Sequence, residues 1–181
     1  MGNNINKKTK EKEQKRNREM VKKLLRSMTE IEKNLDYYEE EYLPLNGFKG
    51  SRDEIIEMVR KEVYDYDNSF LLDKGDLYAI TAINCLKGYL KQISLYNLVQ
   101  HSFDLIDRDE EGEFEVLAMQ EIYIQKVRAI DLEIDFEELG VPASLCTIYR
   151  KANSGLDKMA YLLWGLGDAG TLENKEEAKV V

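Results

Sequence analysis

The chain has 181 residues, of which 43% are hydrophobic and 34% are charged, and its formal net charge is −9. No apolar run reaches about 18 residues and no signal-peptide-like segment opens the chain, so the sequence predicts neither a membrane-spanning helix nor contact with a membrane. Two cysteines without a CxxC motif and a single histidine predict neither a disulfide framework nor a zinc site. We therefore expect a soluble, cytoplasmic, mostly helical protein without a metal or cofactor.

The charges are unevenly distributed along the chain. Residues 1–35 hold 11 basic and 5 acidic side chains, a balance of +6, whereas residues 36–142 hold 10 and 25, a balance of −15. Residues 143–181 hold 5 of each and are neutral. A basic start followed by an acidic body is compatible with a nucleic-acid binder whose body repels phosphate, and equally with a protein that binds a basic partner.

Residues 1–19 are rich in Lys, Asn, Glu and Gln and contain almost no apolar side chains. Such a segment cannot bury enough apolar surface to fold alone, so it predicts a basic arm that is disordered or a frayed helix. Its positive charge is suited to contacting phosphates, although solubility is the commoner role of such segments.

Residues 20–43 carry apolar side chains at steps of four and three, as in the seam of a coiled coil. The positions are Leu24, Met28, Ile31, Leu35, Tyr38 and Tyr42. The seam should end at Leu43-Pro44, because the residue before proline is driven out of the helical region. It predicts packing against the same chain or, alternatively, a homodimer through residues 24–42.

Two further helices are predicted before residue 107. Ser51 and Glu54 have the spacing of a capping box, and the helix after them has an apolar face. Asp76 is the expected N-cap of a central helix that runs towards Ile106. The apolar positions are Ile55, Ile56, Val59 and Val63 in the first helix, and Ala79, Ile83, Leu86, Leu90 and Ile93 in the second.

Residues 107–112 resemble the first half of an EF-hand calcium loop. Asp107, Asp109 and Glu111 occupy ligand positions one, three and five, and Gly112 stands at the sixth, where a sharp turn is needed. The twelfth position, which should supply a bidentate glutamate, is Ala118. We therefore expect an acidic loop between two helices and no physiological calcium site. The chain also lacks a nucleophile beside a base, a glycine-rich phosphate loop and paired carboxylates in an apolar frame, so no enzyme is predicted.

The stretch from Val116 to Trp164 has the pattern of three helices with two short breaks. The apolar positions are Val116, Met119, Tyr123, Val127 and Ile130 in the first, Leu132, Phe136 and Leu139 in the second, and Leu145, Ile148, Ala152, Leu156, Met159 and Leu163 in the third. Gly140 should close the second helix, and Val141-Pro142 should form the turn. A short acidic helix, a turn, and a long helix with a polar, basic outer face are typical of a helix-turn-helix.

The third helix also resembles a known family at the level of individual residues. Thr147-Ile148-Tyr149-Arg150, Asn153, Gly155-Leu156 and Lys158-Met159-Ala160, preceded by Glu138-Leu139-Gly140, resemble the recognition helix of the ArpU/RinA group of phage transcriptional regulators. These proteins carry a DNA-binding module similar to the promoter −35 region binder of sigma factors. The chain differs from the family in Gly155 and Phe136, where the family has alanine, and in about two extra residues before Thr147.

The resemblance implies a sequence-specific regulator that binds double-stranded DNA, a phage or prophage late-gene activator in a bacterial host, with RNA polymerase as a possible partner. Its DNA-contacting residues would be Ser144, Thr147, Arg150, Lys151, Ser154 and Lys158. Arg150 is the candidate for a guanine contact, and Lys151 and Lys158 for phosphate. The alternative is a non-enzymatic acidic helical adaptor or inhibitor.

The predicted organisation has four parts. Residues 1–19 form the basic arm, residues 20–113 the coiled-coil-like and central helices, residues 114–166 the helix-turn-helix unit, and residues 167–181 a flexible tail.

Overall fold

The computed structural model describes residues 2–69, 76–138 and 144–165 of the chain. All regular structure in these ranges is helical, so the predicted all-α fold class is confirmed. The helices are α1 (Gly2–Tyr37), α2 (Leu43–Leu45), α3 (Arg52–Asn68), α4 (Leu77–Asp107), α5 (Gly112–Met119), α6 (Leu132–Glu138) and α7 (Leu145–Trp164), with π-helical turns at Tyr38–Tyr42 and Gln120–Ile124. None of these described helices combines the length and the apolar character needed to cross a bilayer.

The chain divides into two compact units. Unit 1 comprises Met1–Met28 and Leu98–Val181, and unit 2 comprises Thr29–Asn97. Helices α1 and α4 each contribute residues to both units, because the boundaries fall inside them. These boundaries lie at other positions than the predicted ones at residues 19, 113 and 166.

The basic N-terminal segment, which we expected to be disordered or a frayed helix, is helical from Gly2. Helix α1 begins at Gly2 and continues without a break through the predicted seam. Asn17 is buried, and Arg18 forms hydrogen bonds with the carboxylate of Asp157 on α7. The sequence did not reveal this order, because the partner of the segment lies about 140 residues further along the chain.

Helical structure also passes through Pro44, where we expected it to end. The Leu43 amide donates to the carbonyl oxygen of Tyr38, five residues earlier, so the chain widens into a π turn just before the proline. Pro44 then occupies the first turn of α2, where a missing amide hydrogen and a fixed φ are tolerated. The helical region ends at Leu45, followed by Gly47 with a φ of 90°.

Unit 2 is held together by apolar side chains from α1, α3 and α4. The buried cluster consists of Leu35, Leu43, Ile55, Ile56, Val59, Ile83, Leu86, Tyr89 and Ile93, with Ile31, Tyr38 and Tyr42 partly buried against it. The second half of the predicted seam therefore packs on its own chain. The homodimer through residues 24–42 stays a prediction.

Both predicted helix starts in this region are confirmed. The Ser51 hydroxyl accepts from the Glu54 amide, and a Glu54 carboxylate oxygen accepts from the Ser51 amide at 2.8 Å, which completes the capping box. The Asp76 carboxylate accepts from the Tyr78 amide at 2.9 Å. These local bonds satisfy amides that have no partner inside the helix.

The turn between α4 and α5 depends on Gly112. A Cβ atom at this position would lie 1.9 Å from the carbonyl oxygen of Ile106 and 2.9 Å from the Cα of Asp107. The glycine is therefore needed for a close approach of two backbone segments, and not for a left-handed conformation, since its φ is not positive. The predicted sharp turn is present, but for a different physical reason.

The helix after this turn is shorter than predicted. Helix α5 and its π turn end at Ile124, and Lys126 takes a left-handed conformation with a φ of 62°. Met119 and Tyr123 are buried as the pattern predicts, but Val127 lies outside the helix and Ile130 is 54% exposed. The stop was missed because a lysine in the left-handed region carries none of the usual sequence signals of a helix end.

A hydrogen-bonded polar group borders the core of unit 2. The hydroxyl of the fully buried Tyr89 donates to a Glu39 carboxylate oxygen at 3.2 Å, and Nε of Arg52 donates to the same oxygen at 2.8 Å. Burial and the neighbouring Glu39 charge raise the pKa of Tyr89 to about 12. The neutral phenol is therefore part of the folded core.

The close approach at Gly112 leads to the first prediction. Gly112→Ala should destabilise the protein by about 3 kcal/mol, because backbone atoms would have to move to admit the methyl group. Gly88→Ala is the matched control, because the nearest atom to its added Cβ is the Tyr38 hydroxyl oxygen at an ordinary 3.6 Å. This control should stabilise the protein by about 0.5–1 kcal/mol through helix propensity. Urea unfolding followed by circular dichroism measures both changes, and equal effects would contradict the prediction.

The second prediction concerns the ionisation of Tyr89. Because its pKa is higher in the folded protein than in the unfolded chain, the stability it contributes is complete below about pH 10 and is lost as the pH rises towards 12. The tyrosinate absorbance of wild type minus that of Tyr89→Phe should titrate with a midpoint of about 12 in the folded protein. The same difference measured in urea should titrate near the ordinary value of about 10. A folded-state midpoint near 10 would show that the phenol is not shielded.

Candidate nucleic-acid interface

Helix α7 begins at a well-defined double cap. The hydroxyl of Ser144 accepts from the Thr147 amide at 3.3 Å and lies 3.1 Å from the Thr147 hydroxyl. Glu133 of α6 supplies a second cap, since its carboxylate accepts from the Leu145 amide at 3.0 Å. Two predicted DNA-contacting residues, Ser144 and Thr147, therefore also fix the start of the helix.

One face of α7 is buried as the apolar stripe predicts. Ile148, Ala152, Leu156 and Met159 are completely buried. The stripe is shorter than predicted at both ends, because Leu145 is 38% exposed and Leu163 is half-buried. Phe136 and Leu132 on α6 are also fully buried, and the rings of Phe136 and Phe114 lie 5.9 Å apart.

Gly155 allows α7 to lie close to α5, its main packing partner. A Cβ atom on Gly155 would lie 2.6 Å from the Met119 terminal methyl group and 3.2 Å from the Glu115 Cβ. The glycine at this position thus corresponds to a tight contact between the two helices. This contact brings the lysines of α7 within reach of the carboxylates that precede and begin α5.

Lys158 is held by two carboxylates from that segment. Its Nζ lies 2.5 Å from an oxygen of Asp109 and 2.8 Å from Oε2 of Glu115, a side chain that is only 2% exposed. The Glu115 contact is an ion pair. Burial by itself lowers the pKa of Lys158, but the two carboxylates outweigh it and the net shift is upward. The charged lysine is thus favoured in the folded protein.

Lys151 lies seven residues before Lys158 on the same side of α7, and it is also buried. Its side chain is 8% exposed, its Nζ lies 2.7 Å from a Glu111 carboxylate oxygen, and it sits 5.9 Å from the centre of the Phe114 ring. The lysine lowers the pKa of Glu111 through this contact. Any stabilisation from the ionised Glu111 is therefore present above the ordinary glutamate pKa and is lost as the pH falls.

Two members of the predicted polar outer face of α7 are not on an exposed face. Lys151 and Lys158 face the acidic turn and α5 and form ion pairs there, while their contact with phosphate stays a prediction. Arg150 is exposed, and Thr147 and Ser154 are half-buried. The structure thus brings Ser144, Thr147, Arg150 and Ser154 to the accessible side of the helix.

The single acidic side chain of α7 is also neutralised. Nε of Arg18 on α1 donates to Oδ1 of Asp157 at 2.7 Å and a terminal guanidinium nitrogen donates to Oδ2, while the Gln14 amide donates to Oδ2 at 2.6 Å. The hydrogen bonds to Asp157 raise the pKa of Arg18. No periodicity in the sequence links residues 14–18 to residue 157, so the roles of Arg18 and Gln14 were not predicted.

Two carboxylates of the EF-hand-like turn form ion pairs with lysines of α7. Asp109 contacts Lys158 and Glu111 contacts Lys151. Among the described residues, no group of three or more His, Cys, Asp or Glu side chains is placed to hold a metal ion. The predicted Val141-Pro142 turn, the Gly140 cap and the tail at residues 167–181 lie outside the described residues.

Comparison with models of known families, with curated proteins and with solved structures found no match to this chain.

The third prediction tests the ion pair that joins α5 to α7. Lys158→Met should destabilise the protein by about 3–5 kcal/mol, because it leaves the buried Glu115 carboxylate uncompensated. The double variant Lys158→Met/Glu115→Leu should recover most of that loss, since the almost completely buried carboxylate is then absent and Asp109, whose side chain is 15% exposed, keeps some access to water. Unfolding followed by Trp164 fluorescence, the only tryptophan in the chain, measures both.

The exposed pair of Arg128 and Asp131 supplies the control. Arg128→Met should leave the unfolding midpoint unchanged, because an exposed pair contributes little. If Lys158→Met is as mild as this control, the α5–α7 ion pair is not a structural requirement.

Proposed function

We propose that the protein is a non-enzymatic, sequence-specific DNA-binding transcriptional regulator, with α7 as its recognition helix. The observation that carries the proposal is the exposed Arg150 on a helix whose other charges are neutralised within the protein. Arg150 takes part in none of the ion pairs found among the described residues, whereas Lys151, Asp157 and Lys158 all do. An exposed guanidinium near the start of a rigid helix is suited to bidentate contact with guanine in the major groove.

The start of α7 supports the proposal. Ser144 and Thr147 place two hydroxyl groups at the start of α7, where hydroxyl groups commonly donate to phosphate, although the Leu145 and Thr147 amides are already capped by Glu133 and Ser144. Residues 147–160 resemble the ArpU/RinA recognition helix. This resemblance extends the proposal to a phage or prophage late-gene activator acting with the host's RNA polymerase. The phosphate role predicted for Lys151 and Lys158 is not part of the proposal, since both lysines are engaged internally.

The alternative is an acidic helical adaptor or inhibitor that binds a basic protein. Residues 98–181 carry 18 acidic and 8 basic side chains, and unit 2 carries 14 and 8, which favours this alternative. Unit 2 also exposes large apolar and aromatic side chains at Leu77 and Tyr78, by 73% and 88%. DNA binding that depends on salt but survives an excess of random competitor DNA would argue against the adaptor or inhibitor.

The fourth prediction tests α7 as the recognition helix. A preferred site is first selected from a library of random duplexes, and affinity is then measured by fluorescence anisotropy. Arg150→Ala should weaken binding to that site by about 1–3 kcal/mol and relax discrimination at one base pair, because one bidentate contact is lost.

Two variants control this measurement. Arg128→Ala removes an exposed arginine of the same unit outside α7 and should leave discrimination unchanged. Ile148→Asp should abolish binding by unfolding the unit, since Ile148 is fully buried, and so identifies a folding effect. If wild type prefers no sequence over random DNA, or Arg150→Ala discriminates as well as wild type, α7 is not a recognition helix and the adaptor takes precedence.

A further inference from the structure

The N-terminal half of α1 concentrates positive charge beside α7. Residues 9–28 contain eight basic and three acidic side chains. Lys15, Lys22 and Arg26 are spaced by seven and four residues, which places them on one face of the helix over a length of roughly 16 Å. We name these three residues the α1 cationic face.

Contacts within unit 1 locate this face next to α7. Lys15 and Lys22 line a cleft of about 350 Å³ whose other wall includes Asn153 of α7. The remaining lining residues are Glu11, Gln14, Arg18 and Glu19 of α1. Asn153 follows Arg150 by three residues and so lies on a neighbouring position of the same helix surface. The bonds from Arg18 and Gln14 to Asp157 join the two helices at this cleft.

The aromatic ring of Tyr123 supports the other end of the α1 cationic face. The Lys22 ammonium and the Arg26 guanidinium lie 5.7 and 5.8 Å from its centre. Lys22 is further held by an ion pair with Glu19 at 2.8 Å. Lys15 and Arg26, at the two ends of the face, are exposed and enter none of the ion pairs found in the described part of the chain.

We propose that the α1 cationic face contacts the phosphate backbone of the DNA duplex that α7 recognises. The inference rests on the proposed function and assigns its backbone-contacting surface. A recognition helix usually needs nearby cations to fix its position on the duplex, and the lysines of α7 itself are occupied. Arg18 neutralises the one acidic side chain of α7, which would otherwise repel a DNA strand lying alongside the two helices.

The fifth prediction uses the salt dependence of binding, measured by anisotropy from about 50 to 200 mM salt on the selected site and on a random duplex. Lys15→Gln and Arg26→Gln should each lower the slope of log affinity against log salt by about 0.9. Each should also weaken binding roughly eightfold near 0.1 M salt on both duplexes alike, since phosphate contacts carry no sequence information. Discrimination between the two duplexes should stay as in wild type.

Matched variants separate this effect from a general change in charge. Lys15→Arg keeps the charge and should keep the wild-type slope. Lys61→Gln removes the same charge from an exposed site of α3 in unit 2 and should leave the slope unchanged. If Lys15→Gln and Arg26→Gln also keep the wild-type slope, or if Lys61→Gln lowers it equally, the inference is wrong.

The outcomes distinguish the two proposals. If Arg150→Ala relaxes discrimination while Lys15→Gln leaves the slope unchanged, the proposal of α7 as recognition helix stands. The proposed phosphate contact of the α1 cationic face is then wrong. If wild type binds duplexes without sequence preference but Lys15→Gln lowers the slope, the backbone contact stands and the recognition helix is wrong. If wild type binds no duplex at any salt concentration, both proposals fail.

Discussion

A carboxylate removed from water needs a positive charge beside it, and in unit 1 this requirement determines how α5 and α7 lie against each other. Glu115 is almost completely buried, and the Lys158 ammonium lies between it and Asp109. Gly155 lets the two helices come close enough for this contact, and Gly112 lets the chain turn sharply before α5. The position of α7, and therefore of Arg150, depends on these five residues acting together.

The same ion pairs determine which charges unit 1 can offer to a partner. Lys151 and Lys158 are neutralised by the acidic turn, and Asp157 is neutralised by Arg18. The charge on the accessible surface of α7 therefore differs from the charge that its sequence suggests, since the side chain that remains exposed and charged is Arg150. The sequence of this helix is basic, but in the folded protein its surface is mostly neutral and carries one exposed guanidinium group. Any further positive charge has to come from a neighbouring helix, and α1 is the neighbour that carries it.

Unit 2 depends on a different kind of interior. Its core is a cluster of apolar side chains from α1, α3 and α4, interrupted by the hydrogen-bonded group of Tyr89, Glu39 and Arg52. The residues from Ile31 to Tyr42 that have a coiled-coil spacing are used in this core. A heptad pattern shows that a helix face is apolar, but it does not determine whether the surface that covers it belongs to the same chain. Here the second half of the pattern is covered by α3 and α4.

The sequence by itself determined the features that depend on residues within one or two helical turns. These include the all-α class, the Ser51–Glu54 capping box, the Asp76 cap and the buried stripe of Ile148, Ala152, Leu156 and Met159. Propensity, capping and periodicity are local properties, so they can be deduced from a single chain. Only the tertiary structure decided three other features. These are the helical structure of residues 2–19, the end at Ile124 of the helix that follows Gly112, and the burial of Lys151 and Lys158. The lysines look like solvent-facing residues until the packing of α7 brings carboxylates from about 40 residues earlier to their side chains, and no spacing rule within α7 contains that information.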